Sequence, residues 1–418
     1  MAKPESVGMS GKRLALLDKV MKEKYVDSGM LNGIHTQVFR RGELVHNGMA
    51  GLMDIERKKA WREDAIVRIY SMTKPITAVA LMMLVEEGKI GLDDAVHTHI
   101  PSWKNLRVYQ SGVPSLVENT AGQFLTAPCE RPMKVVDLVT HTSGLTYGFM
   151  WRTAVDAAYR AQKINDFQTP GGLEGMMEQL SKLPLDFSPG TKWNYSVSID
   201  VMGYLVQKCS GMTFGEFLRT RLFEPLGMTD TSFSVPAAKM DRFASCYMPK
   251  PGGGLRIQDD AGKSTYAETP KLESGGGGLV STMADYMRFC RMMLGGGTLD
   301  GVQILSPKTV AMFSMNLLEG GKLLTDMVAA PGLFSEAGYS GVGFSIGCSV
   351  TVNPALTRVP GTVGEFAWGG AASTAFWIDP KEDLTVVFMT QVMGTDARLT
   401  LRRDLRTLVY SAMTESNA

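Results

Sequence analysis

The chain has 418 residues, 44% of them hydrophobic and 20% charged, which suits a soluble protein of one to three domains with a large core. Lys and Arg total 43 against 42 Asp and Glu, a formal charge of +1, so there is no basic footprint for nucleic acid and no pull toward an acidic membrane. No apolar run is long enough to span a bilayer, and residues 1–27 are charged and amphipathic rather than signal-like, so the expected location is cytoplasmic.

Residues 10–26 have helical spacing, with Leu14, Leu17 and Met21 on one face. Two strands, 34–39 and 44–51, flank the turn Arg40-Arg41-Gly42-Glu43. An extended segment through Ile66, Arg68 and Tyr70 runs into Ser71-Met72-Thr73-Lys74, the one Ser-x-x-Lys in the sequence. Residues 74–87 read as a helix with Ile76, Val79, Ala80 and Met83 on its buried face and Gly88 at its end. Pro75 suits only the opening turn, which puts Ser71 at the helix N-terminus, where free N–H groups favour developing negative charge.

From 101 to 270 the pattern changes to helical segments, 135–140, 173–182, 199–209 and 214–222, separated by Pro/Gly turns. After Gly275-Gly276-Gly277-Gly278 comes a helix over 282–294. Val342, Phe344, Ile346, Cys348, Val350 and Val352 then alternate as one half-buried strand should. Further strands are expected at 366–368, 373–378 and 385–390, with a turn at 379–383 and a closing helix over 398–413. Strands at both ends around a helical middle predict an α/β (α+β) architecture. It has a discontinuous α/β domain, 1–100 with 271–418, and an all-helical second domain, 101–270. The site is expected in the cleft between them.

The chemistry centres on Ser71. Residues three apart share a helix face, so Lys74 Nζ can reach Ser71 Oγ. A serine hydroxyl needs such a base, and a desolvated lysine can serve. Tyr195, in Tyr195-Ser196-Val197 before the 199–209 helix, could shuttle protons if a cation stabilised its phenolate; the residues alone leave a packing tyrosine as the alternative. Trp368-Gly369-Gly370-Ala371 lets a substrate approach the backbone. There the Ala371 N–H, with the Ser71 N–H, could form an oxyanion hole, although a bulge or turn explains the glycines equally well.

Several other features read as structural. Gly343-Phe344-Ser345-Ile346-Gly347 matches Gly-x-Ser-x-Gly, but Ser345 lies within the alternating segment and no helix follows. His141 reads as a hydrogen-bonded loop residue. His97-Thr98-His99 has no acidic or cysteine partner set for a metal. The five cysteines, Cys129, Cys209, Cys246, Cys290 and Cys348, lack any Cys-x-x-Cys pairing and read as reduced thiols. The segment 107–128 is expected to border the cleft.

Taken in order, Tyr70-Ser71-Met72-Thr73-Lys74, Asp137 to Leu145 (DLVTHTSGL), Ser188-Pro189-Gly190 leading to Tyr195-Ser196, Phe223 to Met228 (FEPLGM), Gly276 to Thr282 (GGGLVST) and Trp368-Gly369-Gly370 resemble the family VIII carboxylesterases. These are relatives of class C β-lactamases and penicillin-binding proteins. The resemblance implies a β-lactamase-like fold, an antiparallel sheet flanked by helices plus a helical domain. It also implies Ser71 as the acylated nucleophile, Lys74 and Tyr195 as the base system, and Ala371 N–H completing the oxyanion hole. Two departures from the β-lactamase pattern matter: Val197 replaces the Asn of Tyr-x-Asn, and Trp368-Gly369-Gly370 replaces Lys-Thr-Gly. An apolar indole in place of a cation favours neutral or aromatic short-chain esters over anionic lactams. The implied activity is carboxylic ester hydrolysis on a small-molecule substrate, without metal or cofactor. A β-lactam hydrolase, D-peptidase or acyltransferase using the same nucleophile, and a non-catalytic binding module, are the alternatives; oligomeric state is open.

Overall fold

Eight antiparallel strands form one sheet that joins the two ends of the chain. The computed structural model describes residues 1–114, 122–329, 340–395 and 398–417, with residues 398 and 399 as backbone only. The strands are β1 (Gly33–Arg40), β2 (Glu43–Asp54), β3 (Lys59–Ala60), β4 (Val342–Phe344), β5 (Ser349–Thr351), β6 (Phe366–Gly369), β7 (Ala375–Asp379) and β8 (Leu384–Met389). Their spatial order is β4-β5-β6-β7-β8-β1-β2-β3. The seam between the chain ends is β1 against β8, with His35 opposite Met389 and Arg40 opposite Leu384. Arg41 and Gly42 both have positive φ, the mirror-image turn whose twist suits a two-residue hairpin between β1 and β2.

Both faces of the sheet are covered over β1 and β6 to β8, so these strands are buried on both sides. Val38, Trp377, Val386 and Phe388 pack under helices α1 (Gly11–Met21) and α5 (Arg398–Ser411). Phe376, Ile378, Val387 and Met389 point to the other face, which carries most of the core. There α4 (Met283–Leu294) lies on β7 and β8. Each large apolar side chain so buried contributes roughly 1.5–3 kcal/mol. Ser10 caps α1 by accepting the Arg13 N–H, and Leu14, Leu17 and Met21 are its buried stripe, as their spacing predicts. Arg40, wholly buried, pairs with Glu382 at 3.0 Å and donates to Gly8 O and Glu415 O, both at 2.7 Å.

The structure corrects three expectations. Helix α2 (Thr73–Glu86) is buried from Thr73 to Leu84 all round, not on one face. Ala78, Leu81, Met82 and Leu84 are buried on its other sides, which makes it a central helix. The alternating run 342–352 is not one strand but the β4–β5 hairpin, pairing Val342 with Thr351 and Phe344 with Ser349. Gly347 turns the chain at φ +67, its tip resting on α2 where a Cβ would come within 3.1 Å of Ala78. The middle of the chain is helix-rich, with α3 (Ser198–Ser210) packed on α2. Yet it also carries two β-ribbons, Arg107–Val113 with Gln123–Pro128 and Cys246–Pro249 with Leu255–Asp259, which its reading as all-helical left out. The second ribbon packs Tyr247, Leu255 and Ile257 into the α1–α5 side of the sheet. Among the described residues, no helix is long and apolar enough to cross a membrane.

Candidate active site

The backbone is bent out of its ordinary range just where Ser71 begins. Ile69 N–H donates to Leu279 O at 3.2 Å, and Tyr70 then takes φ +42, a conformation that costs a non-glycine residue about 1–3 kcal/mol. A single 3₁₀ turn, Tyr70–Met72, follows and leads into α2. Ser71 and Lys74 thereby share one wall of a cavity of ≈ 560 Å³, with Lys74 Nζ 3.2 Å from Ser71 Oγ.

Lys74 is wholly buried. Its Nζ donates to Gly276 O at 2.6 Å and lies 4.3 Å from the centroid of the Tyr195 ring. Burial pulls its pKa down from 10.5 to about 7, against the opposing charge of Asp200. Asp200, in the first turn of α3, is itself wholly buried. Its Oδ1 accepts from the Ser274 hydroxyl at 2.5 Å and from Gly276 N–H at 3.1 Å. Burial raises its pKa, while Ser274 and Lys74 pull it back. A Cβ on Gly276 would come within 2.6 Å of both Asp200 Oδ2 and Tyr147 OH. The glycine run is thus a fitted scaffold for Lys74 and not the flexible loop its composition suggests.

Tyr195 stands just before α3, and its hydroxyl donates to Ser71 Oγ at 2.5 Å. The loop after the short helix Val135–Val139 clips it in place. Asn194 N–H donates to His141 O at 2.9 Å, Asn194 Nδ2 to Leu145 O at 2.9 Å, and Val197 N–H to Thr146 O at 3.2 Å. His141, buried at φ +58, contacts Ser196 Oγ through Nδ1 at 3.2 Å and packs its ring 4.9 Å from that of Tyr195. Burial, with the nearby Lys74, pushes its pKa well below the usual histidine range, so it is a neutral strut. It makes no hydrogen bond to Ser71.

Opposite Ser71, strand β6 ends in the tight turn 370–373. Gly370 N–H donates to Thr374 O at 3.0 Å and Ser373 N–H to Gly370 O at 3.1 Å. A Cβ on Gly370 would sit 2.5 Å from Ile69 O and 2.2 Å from Thr374 Oγ1. That closeness requires glycine, and it lays the 369–371 backbone against the segment that carries Ser71. Ser71 and Ala371 both line the cavity, and among the described residues neither N–H is taken by a backbone carbonyl. Trp368 is buried with its ring 5.7 Å from Tyr195 and edge-on to Phe344 at 5.4 Å.

The structure therefore brings Ser71, Lys74, Tyr195, Trp368, Gly369, Gly370 and Ala371 to one cavity. Ser345 is buried, donating to Met312 O at 2.8 Å. The described part of segment 107–128 does not line this cavity and bonds instead beside Leu185; its residues 115–121 lie outside the described residues. Sequence reasoning missed Tyr147, Phe149, Asp200 and Arg402. Asp200 carries a usable signal, being one helical turn beyond Tyr195-Ser196. Arg402, from α5, reaches beneath the glycines and donates to Thr374 O at 2.9 Å; no local pattern announces it.

The family model described as Beta-lactamase matches residues 18–411. Protein Rv1367c of Mycobacterium tuberculosis is 35% identical over 369 residues, 87% of either chain. Esterase EstB of Burkholderia gladioli is 26% identical over 428 residues, covering 97% of this chain and 96% of its own. Among solved structures, EstCE1, described as a hydrolase with promiscuous acyltransferase activity, superposes with a TM-score of 0.77 at 22% identity, covering 96% of this chain and 99% of its own.

Proposed function

We propose that this chain, which belongs to the Beta-lactamase family, is a carboxylic ester hydrolase of the family VIII type that works through an acyl-enzyme on Ser71. The observation that carries this reading is the shared oxygen: Ser71 Oγ accepts from both Tyr195 OH at 2.5 Å and Lys74 Nζ at 3.2 Å. With its pKa near 7, Lys74 is a working base at neutral pH.

The substrate carbonyl oxygen sits between the Ser71 and Ala371 N–H groups. Ser71 Oγ attacks the carbonyl carbon and its proton passes to the Lys74–Tyr195 pair, which titrates as a unit. The tetrahedral oxyanion is held by the two N–H groups, each worth about 3 kcal/mol. The carbon–alkoxy bond then breaks, and Tyr195 delivers the proton to the departing alkoxide. Water, deprotonated by the same pair, attacks the acyl-enzyme, and Ser71 takes its proton back. The esterase name of the Burkholderia relative supports the substrate class. Trp368 in place of a lysine favours neutral esters over a β-lactam carboxylate.

Hydrolysis of p-nitrophenyl butyrate by wild type and by Ser71→Ala tests this. Turnover that disappears in the variant is expected; turnover that survives removes Ser71 from its role. A second reading, acyl transfer to an alcohol, is favoured by the cavity, whose ≈ 560 Å³ leaves room for an acceptor beside an acyl group, and by the description of EstCE1.

A further inference from the structure

The mechanism fixes where the alcohol half of the ester must lie. The proton that releases it comes through Tyr195, so the alkoxy oxygen has to reach the Tyr195 hydroxyl, and the rest of the alcohol extends along whatever stands beside that ring. What stands there is aromatic. Tyr147 lies 5.2 Å from Tyr195, and Phe149 stacks on Tyr147 at 4.6 Å with an interplanar angle of 19°. Tyr147 is buried and held from behind by the fold, while Phe149 is 55% exposed at the cavity mouth. Both line the cavity, with Phe167 and Asn165.

An exposed phenyl ring is by itself ordinary on a protein surface, but this one stacks on a fixed ring at the cavity that holds Ser71. Here its position is set by a second observation. A tight local frame holds the 147–151 segment: Met150 N–H donates to Tyr147 O at 3.1 Å, Arg160 Nη1 donates to Gly148 O, and the Arg160 guanidinium lies 3.7 Å over Trp151. The ledge is therefore built before a ligand arrives, which lowers the cost of binding to it. Flat rings gain from offset stacking on such a surface beyond the area they bury. A short aliphatic alcohol would leave most of the cavity filled with water.

Resting on the esterase reading, we propose that Phe149, with Tyr147 behind it, forms the subsite for the alcohol part of the substrate, and that the alcohol carries a flat, uncharged, apolar ring system. Phe149 is then the specificity-determining residue for the leaving group. By microscopic reversibility the same ledge selects the acceptor in acyl transfer.

The test compares two butyrate esters of primary alcohols, 2-naphthylmethyl and n-butyl, so that leaving-group basicity is similar. Wild type is expected to favour the naphthylmethyl ester in kcat/KM by about tenfold or more, which is the worth of one good stacking contact with its buried area. Phe149→Ala should collapse that ratio, chiefly by raising KM for the naphthylmethyl ester, and Phe149→Trp should restore it. Leu125→Ala, which trims an exposed apolar side chain on the ribbon that does not line the cavity, should keep the wild-type ratio. Equal kcat/KM for the two esters in wild type, or a ratio untouched in Phe149→Ala, overturns the subsite while leaving the esterase reading in place. No cleavage of either ester, nor of p-nitrophenyl butyrate, overturns both.

Discussion

Asp200 and Lys74 meet on a single residue: Gly276 gives its N–H to Asp200 Oδ1 at 3.1 Å and its carbonyl to Lys74 Nζ at 2.6 Å. The carboxylate thus both steers the lysine through that glycine and biases its protonation through space. Lys74 must be neutral to accept a proton, so kcat/KM should rise with pH through a midpoint near the lysine's value of about 7 and level off above it. Asp200→Asn keeps the acceptor for Gly276 but removes the charge that holds the lysine's pKa up. Its acid limb should move downward by roughly one pH unit. A midpoint that stays in place would show that Asp200 is uncharged in the working enzyme.

Tyr195→Phe removes the hydroxyl 2.5 Å from Ser71 Oγ and leaves the ring that packs against His141 and Trp368. Turnover should drop by about 10²–10⁴-fold, the usual worth of one acid–base group, with thermal stability close to wild type. A serine-directed fluorophosphonate should still label Ser71, slowly. Near-normal turnover would place the proton transfer on Lys74 alone.

A buried lysine that serves chemistry weakens the fold. The pKa of Lys74 falls from 10.5 to about 7 on folding. Below pH 7 both states hold the proton and the fold bears the whole cost of the buried ammonium. Between 7 and 10.5 the unfolded chain binds more protons than the folded one, so stability rises with pH. Lys74→Met should abolish turnover yet melt at a higher temperature than wild type, with the gap widest at pH 7 and below and narrowing toward pH 10. A gap independent of pH would mean that the methionine acts through packing alone.

Gly370→Ala tests the close approach beneath the oxyanion site. The added Cβ meets Ile69 O at 2.5 Å, which is backbone and cannot swing aside. Strain of about 1–3 kcal/mol is expected, read as a lower urea midpoint. The same displacement pushes on the segment that holds Tyr70 at φ +42, so kcat should fall further than KM rises. Unaltered kcat beside lowered stability would separate the turn from the chemistry.

How much of this was legible depends on whether the information is local. Ser71 and Lys74 are three apart on a helix, so their proximity follows from periodicity, and the α1 stripe of Leu14, Leu17 and Met21 is legible for the same reason. The pairing of Tyr195 with Ser71 spans 124 residues and comes from no periodicity; only the ordered resemblance suggested it. The 342–352 run misled because side-chain alternation continues through a turn when both strands are buried on both faces, as Val342, Phe344 and Val350 are. Period two then reports burial, not strand length. Arg402 is invisible locally because it reaches the site through the carbonyl of Thr374, 28 residues away in sequence; Asp200 is signalled only by its place just after Tyr195-Ser196, since its link to Lys74 runs through the distant Gly276.

The seam between β1 and β8 has a consequence for how the protein is made. Strand β1 is synthesised long before its partner, residues 384–389. Until that partner is made, the hairpin β1–β2 presents one edge with nothing to bond, an invitation to pairing with the wrong chain. Ser71 and Lys74 are likewise made long before the turn after β6 that carries Ala371. A nascent polypeptide thus holds the Ser71–Lys74 pair without the backbone donor proposed at Ala371, and the proposed esterase chemistry would switch on only when the sheet closes.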